Sequence, residues 1–499
     1  MISAAERTHR QFAWLLLLLG LAVRLLLSHG FLLAPEEANV WRFSQHLAAG
    51  YPEHPPLLIW AIHLCTTIFG TSEAAIRLPT ILGLGIAGAY LNLLVARWGS
   101  WRGAFHMQLL LQGLLLSNGL ALVATPDGLL LPCWAGAIYH TARCLEQRWD
   151  DPAPWLLTGF WFGLGLLSKF TMLLFLPALL IYLLWIGNAG RTLRRPAPWL
   201  GLLLALALMT PLISWNMRND WLTVRTFLDN LHLTLDFSWR PLLDFLAAQA
   251  ALLSPLLLPL VWLSWGSALS SLVSRERRLS YLTWFSFFPF SIILLFSFGS
   301  RGHSTWSAPA YLSAIVLTTL LFAPKPGGRI SWIWLASLLS AWSITILVLV
   351  QALTSILPIP VLLDRTAREI NGWQDLSREV AREVSEMPRP GQTFVFSSER
   401  YLADELAFYL PGRPDTAFFH PWRIPPDEGH RARGPGLPDG DAVGVLTDDR
   451  SLERLRRIFT KVEMPRPFEI HRLSSLGRDE VVTTLYLVRA WGFKEEEEQ

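Results

Sequence analysis

The chain has 499 residues, 52% of them hydrophobic and only 16% charged, against roughly 25% charged in ordinary soluble domains; a single water-soluble globule is excluded. A net charge of +3 is too small to mark a nucleic-acid binder. Charge is also unevenly placed: residues 1–352 hold 36 Asp, Glu, Lys and Arg, and residues 353–499 hold 45, which predicts a membrane domain over 1–352 and a soluble domain over 353–499.

Met1 to Arg10 is short and basic, and an apolar run from Gln11 to Leu33 follows. At ~1.5 Å per residue it suffices to cross a hydrocarbon core of ~30 Å. No small-residue cleavage site follows it, so it reads as a retained first span rather than a signal peptide. Apolar runs at 76–96, 104–124, 127–145, 155–168, 170–187, 198–216, 242–266, 280–298, 304–323 and 330–352 bring the expected total to about eleven transmembrane helices. The 24 Trp suit a protein with long membrane–water boundaries, where indole rings settle. Cys65, Cys133 and Cys144 lie in apolar or membrane-proximal stretches without metal-ligand spacing, as isolated apolar cysteines do.

Lys and Arg accumulate in cytoplasmic loops. With the N-terminus inside, the inner loops carry Arg97 and Arg102, then Arg143 and Arg148, then Arg191, Arg194 and Arg195, then Arg275, Arg277 and Arg278, then Lys325 and Arg329. The pattern favours an odd number of spans and puts the soluble tail outside the cytoplasm.

Ionisable side chains at membrane depth are costly and ask for a reason. The first outer loop, about 34–75, holds Glu36 and Glu37 directly after the first span. From Glu36 onward Val40, Phe43 and Leu47 share a helical face, which predicts an interfacial helix presenting carboxylates at headgroup level; two solvated acids favoured by the helix dipole are the plain alternative. In Tyr51-Pro-Glu-His-Pro-Pro-Leu57 the prolines force a rigid turn that either positions Glu53 and His54 for a ligand or only re-aims the chain. Asp127 in Thr125-Pro-Asp is a helix cap or a cation ligand. Lys169 interrupts an apolar stretch, as a point charge for phosphate or a snorkelling lysine. Arg301 and His303 open a later span on the same outer side and add a cation and a titratable imidazole. In the tail, strand-like runs at Thr393–Phe396, Ala442–Leu446 and Val481–Val488 alternate with helix-like runs at 364–385, 400–409 and 451–459, which predicts a small α/β domain.

At these residues the chain resembles the bacterial members of the dolichyl-phosphate-mannose protein mannosyltransferase superfamily, in particular the aminoarabinose-transferase-like branch of GT-C fold. The pieces occur in order: Pro35-Glu-Glu-Ala-Asn-Val-Trp-Arg-Phe-Ser-Gln-His, Gly50-Tyr-Pro-Glu-His-Pro-Pro-Leu, Thr125-Pro-Asp, Gly165-Leu-Leu-Ser-Lys-Phe-Thr, Trp215-Asn-x-x-x-Asp-Trp, His303-Ser-Thr-Trp-Ser-Ala-Pro-Ala-Tyr and Glu405-Leu-Ala-Phe-Tyr-Leu-Pro-Gly. Any one could arise by chance; seven in order between residues 35 and 412 are specific.

The resemblance implies an all-α polytopic membrane domain of GT-C fold with a C-terminal soluble α/β domain, in the bacterial inner membrane. It implies an enzyme that moves a sugar from a polyprenyl-phosphate carrier to a glycolipid, glycan or protein on the outer face. Glu36 would be the catalytic carboxylate, with Glu37 its neighbour. Lys169 and Arg301, with His303 beside them, would hold the lipid phosphate. Asp127, His54 and Glu53 would be candidates for the donor or for a divalent metal (Mg, Mn or Zn), which several members use. The family usually has Asp where Glu36 stands; an error of ~1 Å at a reacting group can cost ~100-fold in rate. Thr305 for Asn and Ser307 for Pro are smaller departures. A flippase of lipid-linked glycans would also need outer cations, but transporters often carry internal repeats and none is evident. A catalytically silent scaffold is the third reading.

Overall fold

The computed structural model describes residues 3–146, 151–230, 239–274, 276–298, 304–418, 440–448 and 452–493. The chain forms two compact units, Met1–Ser28 with Leu47–Val348 and His29–His46 with Leu349–Gln499.

Every regular element described in the first unit is helical. α1 (Ala4–Leu27) starts where Ser3 Oγ accepts the Glu6 N–H at 3.2 Å, a side-chain cap. α2 (Pro35–Ser44) belongs to the second unit. The first unit continues with α3 (Leu57–Phe69), α4 (Glu73–Trp98), α5 (Trp101–Gly113), α6 (Leu115–Leu122), α7 (Pro126–Glu146), α8 (Pro152–Ser168), α9 (Phe175–Trp185), α10 (Ala189–Leu193), α11 (Pro196–Arg218), α12 (Leu222–Asn230), α13 (Trp239–Leu253), α14 (Leu257–Ser274), α15 (Arg277–Phe296) and α16 (Ala308–Phe322); α17 (Trp332–Thr354) runs on into the second. Among the described residues six helices are long and apolar enough to cross a membrane, or up to eight if two bent pairs each make one span. The chain is a multi-pass membrane protein.

The bent pairs depart from the sequence expectation of single spans at 104–124 and 242–266. α5 and α6 meet at 63°, α13 and α14 at 100°. A break at membrane depth frees backbone polar groups that only the protein can satisfy. At the first break Leu114 is extended. Asn118 Nδ2 donates to Gln112 O at 2.9 Å and Leu114 O at 2.8 Å, and Thr345 Oγ1 donates to Gly113 O at 2.7 Å. Arg24, buried in α1, donates to the Gln112 side chain. At the second break Ser254 takes φ +91° before Pro255, which has no N–H to give.

α8 and α11 pack through glycine. A Cβ on Gly159 would stand 1.9 Å from Gly201 O, and one on Gly201 2.4 Å from Trp155 O. Small residues at such a crossing let two backbones touch, the main source of helix attraction where lipid offers no hydrophobic drive.

In the second unit follow α18 (Arg365–Glu369), α19 (Trp373–Ser385), β1 (Phe394–Ser397), α20 (Arg400–Tyr409), β2 (Thr416–Phe418), β3 (Ala442–Leu446), α21 (Leu452–Ile458), β4 (Phe459–Val462), β5 (Arg466–Leu473) and β6 (Asp479–Phe493). The sheet runs β2-β1-β3-β6-β4, with β5 also on β6. β1 is parallel to β2 and β3; the pairs with β6 are antiparallel. β1 and β3 are buried at every position, as strands covered on both faces are. The expected α/β tail domain is present.

Candidate functional site

In the first unit the site grows from two helix ends. Thr125-Pro-Asp opens α7, with Pro126 where its missing N–H is harmless. Lys169 follows α8 with an extended backbone, φ −157° and ψ 138°, so the helix stops at Ser168 and resumes as a 3-10 turn over Phe170–Leu174. Ser168 Oγ donates to Pro126 O at 2.7 Å and pins this break to the start of α7. Lys169 Nζ therefore reaches Asp127 Oδ2 at 2.7 Å, with both side chains largely buried. Thr305 Oγ1 donates to the same oxygen at 3.0 Å. The Lys169 ammonium lies 5.7 Å from the Trp306 ring centroid, within cation–π range. Gln249 holds this turn in place, accepting from Ser307 Oγ at 2.7 Å and donating to Ser304 O at 3.1 Å.

Three of the sequence motifs thus converge, and Asp127 and Lys169 are brought together. Asp127 uses its carboxylate across the unit, on Lys169 and Thr305. Its Oδ1 is buried without a hydrogen-bond partner among the described residues. Arg301 and His303 lie outside the described residues. Sequence reasoning missed Thr305 and Trp306 as site members; the signal was their place in the motif that begins at His303.

Two further motifs build a joint in the same unit. A Cβ on Gly50 would lie 2.7 Å from the Trp215 ring. Tyr51 is buried; its hydroxyl accepts the Ala48 N–H at 2.8 Å, and its carbonyl accepts Thr223 Oγ1 at 2.7 Å. Asn216 Oδ1 accepts the Thr223 N–H at 3.2 Å, and Asp220 and Trp221 turn the chain with φ +50° and +59°. Glu53 and His54 stand half-buried beyond this joint. Among the described residues no three His, Cys, Asp or Glu side chains gather as metal ligands, so Asp127, Glu53 and His54 do not form one set. The described residues thus gather no three-ligand metal set.

In the second unit α2 separates the two candidate carboxylates. Glu37 is fully buried, and its Oε2 accepts the Ala34 N–H at 3.0 Å, closing the start of its own helix. The Glu36 side chain is 50% exposed and faces Arg365 at 3.8 Å. Arg365 also pairs with Glu369 at 2.5 Å. Burial lifts the Glu369 carboxyl above the ordinary range; Arg365 opposes this and Glu36 adds repulsion.

The expectation of a surface helix with Val40, Phe43 and Leu47 on one face needs correcting. α2 ends at Ser44, Leu47 is exposed, and burial runs around the helix through Glu37, Ala38, Asn39, Val40, Trp41 and Phe43. The reason is α20, which packs on it. Asp404, 1% exposed, accepts from Asn39 Nδ2 at 2.8 Å and from Arg42 Nη1 at 2.7 Å. Trp41 meets Phe408 edge-on at 4.9 Å. Neither Arg42 nor Asp404 stood out in the sequence, although Asp404 directly precedes the motif at Glu405.

Residues 53–215 match the family model described as dolichyl-phosphate-mannose-protein mannosyltransferase. The lipid A galacturonosyltransferase RgtD of Rhizobium johnstonii is 26% identical over 389 residues, 75% of this chain and 77% of that protein. The fold matches crystal structures of ArnT from Cupriavidus metallidurans. The apo form gives TM-score 0.63 at 15% identity, and the form bound to undecaprenyl phosphate 0.65 at 14%, each over 95% of this chain and 97% of the other.

Proposed function

Starting from the resemblance to bacterial GT-C-fold membrane glycosyltransferases, which the family match and the fold bear out, we propose that this chain transfers a sugar from a polyprenyl-phosphate carrier to an acceptor on the outer face of the bacterial inner membrane. The observation that carries the reading is the Lys169 ammonium, braced by Asp127 and against Trp306 where motif segments meet. Undecaprenyl phosphate as the carrier is supported by the ArnT complex. A glycolipid of the lipid A kind as acceptor is supported by the likeness to the lipid A galacturonosyltransferase. The arginines of the alternate loops support a cytoplasmic N-terminus, an odd number of crossings and an extracytoplasmic tail.

In this reading the acceptor hydroxyl attacks the anomeric carbon from the face opposite the phosphate. The carbon–oxygen bond to phosphate breaks, the configuration inverts, and the hydroxyl proton passes to Glu36. The polyprenyl phosphate leaves with the bonding pair, and Lys169 and Arg301, with His303 beside them, offset its charge. Glu36 takes the acid–base role because its carboxylate is reachable, whereas Glu37 is committed to its own backbone.

The test is purified protein with a panel of undecaprenyl-phosphate sugars and a lipid A acceptor. The native form consumes one donor and releases undecaprenyl phosphate; Glu36→Gln is slowed ~100-fold or more, the scale of acid–base contributions. Equal turnover in both forms removes Glu36 from the mechanism. Movement of intact donor across a bilayer without transfer would favour a flippase instead.

A further inference from the structure

We infer that Asp404 is a positioning residue for Glu36, acting through Asn39 and Arg42 of α2; the inference rests on Glu36 serving as the acid–base carboxylate. α2 has ten residues, and helices shorter than ~12–15 residues are marginal by themselves. Its placement therefore comes from packing, and the contacts lead to α20. Asp404 accepts from Asn39 and Arg42, one and two turns along from Glu36. Arg42 Nη2 also donates to Thr416 O at 2.6 Å, and Thr416 Oγ1 returns to Ala403 O on α20 at 2.6 Å. Arg400 lies over the Phe43 ring at 5.4 Å. Ahead of the helix, Tyr409 Oη accepts the Leu33 N–H at 2.8 Å.

A charge-assisted, two-pronged contact at 1% exposure specifies orientation as well as strength. It fixes both the rotation and the axial position of α2. A slip by one residue would turn the helix ~100° and shift it ~1.5 Å, well beyond the tolerance of a reacting group. A plain packing role would need only the aromatic contact of Trp41 with Phe408. A buried carboxylate that takes two donors from one face of α2 makes the register specific.

The experiment uses the full-length protein in detergent or nanodiscs, with undecaprenyl-phosphate sugar as donor. Asp404→Asn keeps the shape and removes the charge. It lowers kcat ~10-fold or more and leaves the donor KM within about twofold, because the interaction lost is felt only in the transition state. In the Glu36→Gln background the same substitution has less than a twofold effect, since a positioning residue has nothing left to position. Arg42→Lys keeps the ion pair, loses the second prong to Thr416 O and shows a smaller loss of ~3-fold. Amide exchange over residues 35–44 quickens in Asp404→Asn while the sheet stays protected. Native kcat in Asp404→Asn, an equal loss in both backgrounds, or unchanged exchange over 35–44 each overturns the inference. Full activity of Glu36→Gln by itself would instead sink the acid–base assignment, and the exchange readout would still report whether Asp404 holds α2.

Discussion

Lys169 shows how one side chain becomes a site. It caps α8, its N–H still on Gly165 O while its own backbone turns extended; Ser168 anchors the break, and Asp127 and Trp306 fix the ammonium. Removing one member of a largely buried ion pair leaves the other uncompensated and is strongly destabilising. Lys169→Met is therefore expected to lower the melting temperature. On the proposed mechanism it also raises the donor KM ~10-fold or more, since hydrogen bonds to charged groups contribute about 1.5–3 kcal/mol. Donor titrations on the native and Lys169→Met forms check this, and an unchanged KM would remove Lys169 from phosphate binding. The sequence left Asp127 open between cap and ligand because the deciding partners, Lys169 and Thr305, are 42 and 178 residues away. For Glu36 and Glu37 the difficulty was finer: two adjacent identical side chains differ only in which way the helix turns them.

Among the helices, the apolar runs read from composition fall on observed elements, because twenty apolar residues in lipid have few alternatives to a helix. Breaks within a run were not legible. Hydropathy does not distinguish a straight span from α5–α6, and the hint was a polar side chain, Asn118, that repairs the freed carbonyls of Gln112 and Leu114. β1, β3 and β6 were legible from apolar runs. β2 is only three residues long, and β5 alternates mostly exposed positions, so these strands carried weaker signals. The glycine crossing of α8 and α11 yields a test at this scale. Gly159→Val adds side-chain atoms where even a Cβ would stand 1.9 Å from a backbone oxygen. The two helices must separate, and a stability loss at or above the ~1–3 kcal/mol range of overpacking follows. Thermal unfolding in detergent measures it; an unchanged midpoint would show that the crossing does not have this geometry.

At the scale of the whole molecule, the second unit carries a charge network. Glu379 accepts from Arg382 and Arg466, while Arg489 bonds Glu383 and Glu386. Hydrogen bonding from Arg382, against some burial and with help from Arg466, holds the Glu379 carboxyl down to about 2 from 4.5. Burial pushes Asp364 up, but hydrogen bonds from Thr366, Gln351 and the Ala367 N–H, together with Arg472, leave it below its usual value. A depressed carboxyl stabilises the fold above its unfolded pKa, and that contribution is lost as pH falls through the folded value. Protection of the second unit is thus expected to weaken between about pH 4.5 and 2. Amide exchange over β5 and β6, corrected for intrinsic rates, reads this, and Glu379→Gln should lose much of the dependence. A native profile without an acid limb would show that the network contributes little.

The bond from Asn39 to Asp404 joins residues 365 positions apart. At ~5–20 residues per second of synthesis, the loop bearing Glu36 waits roughly 20–70 seconds before its clamp has even been translated. A nascent or C-terminally truncated chain can already sit in the bilayer with α2 unset. On the proposed mechanism the catalytic carboxylate is therefore set last, only once the final hundred residues have been made and folded.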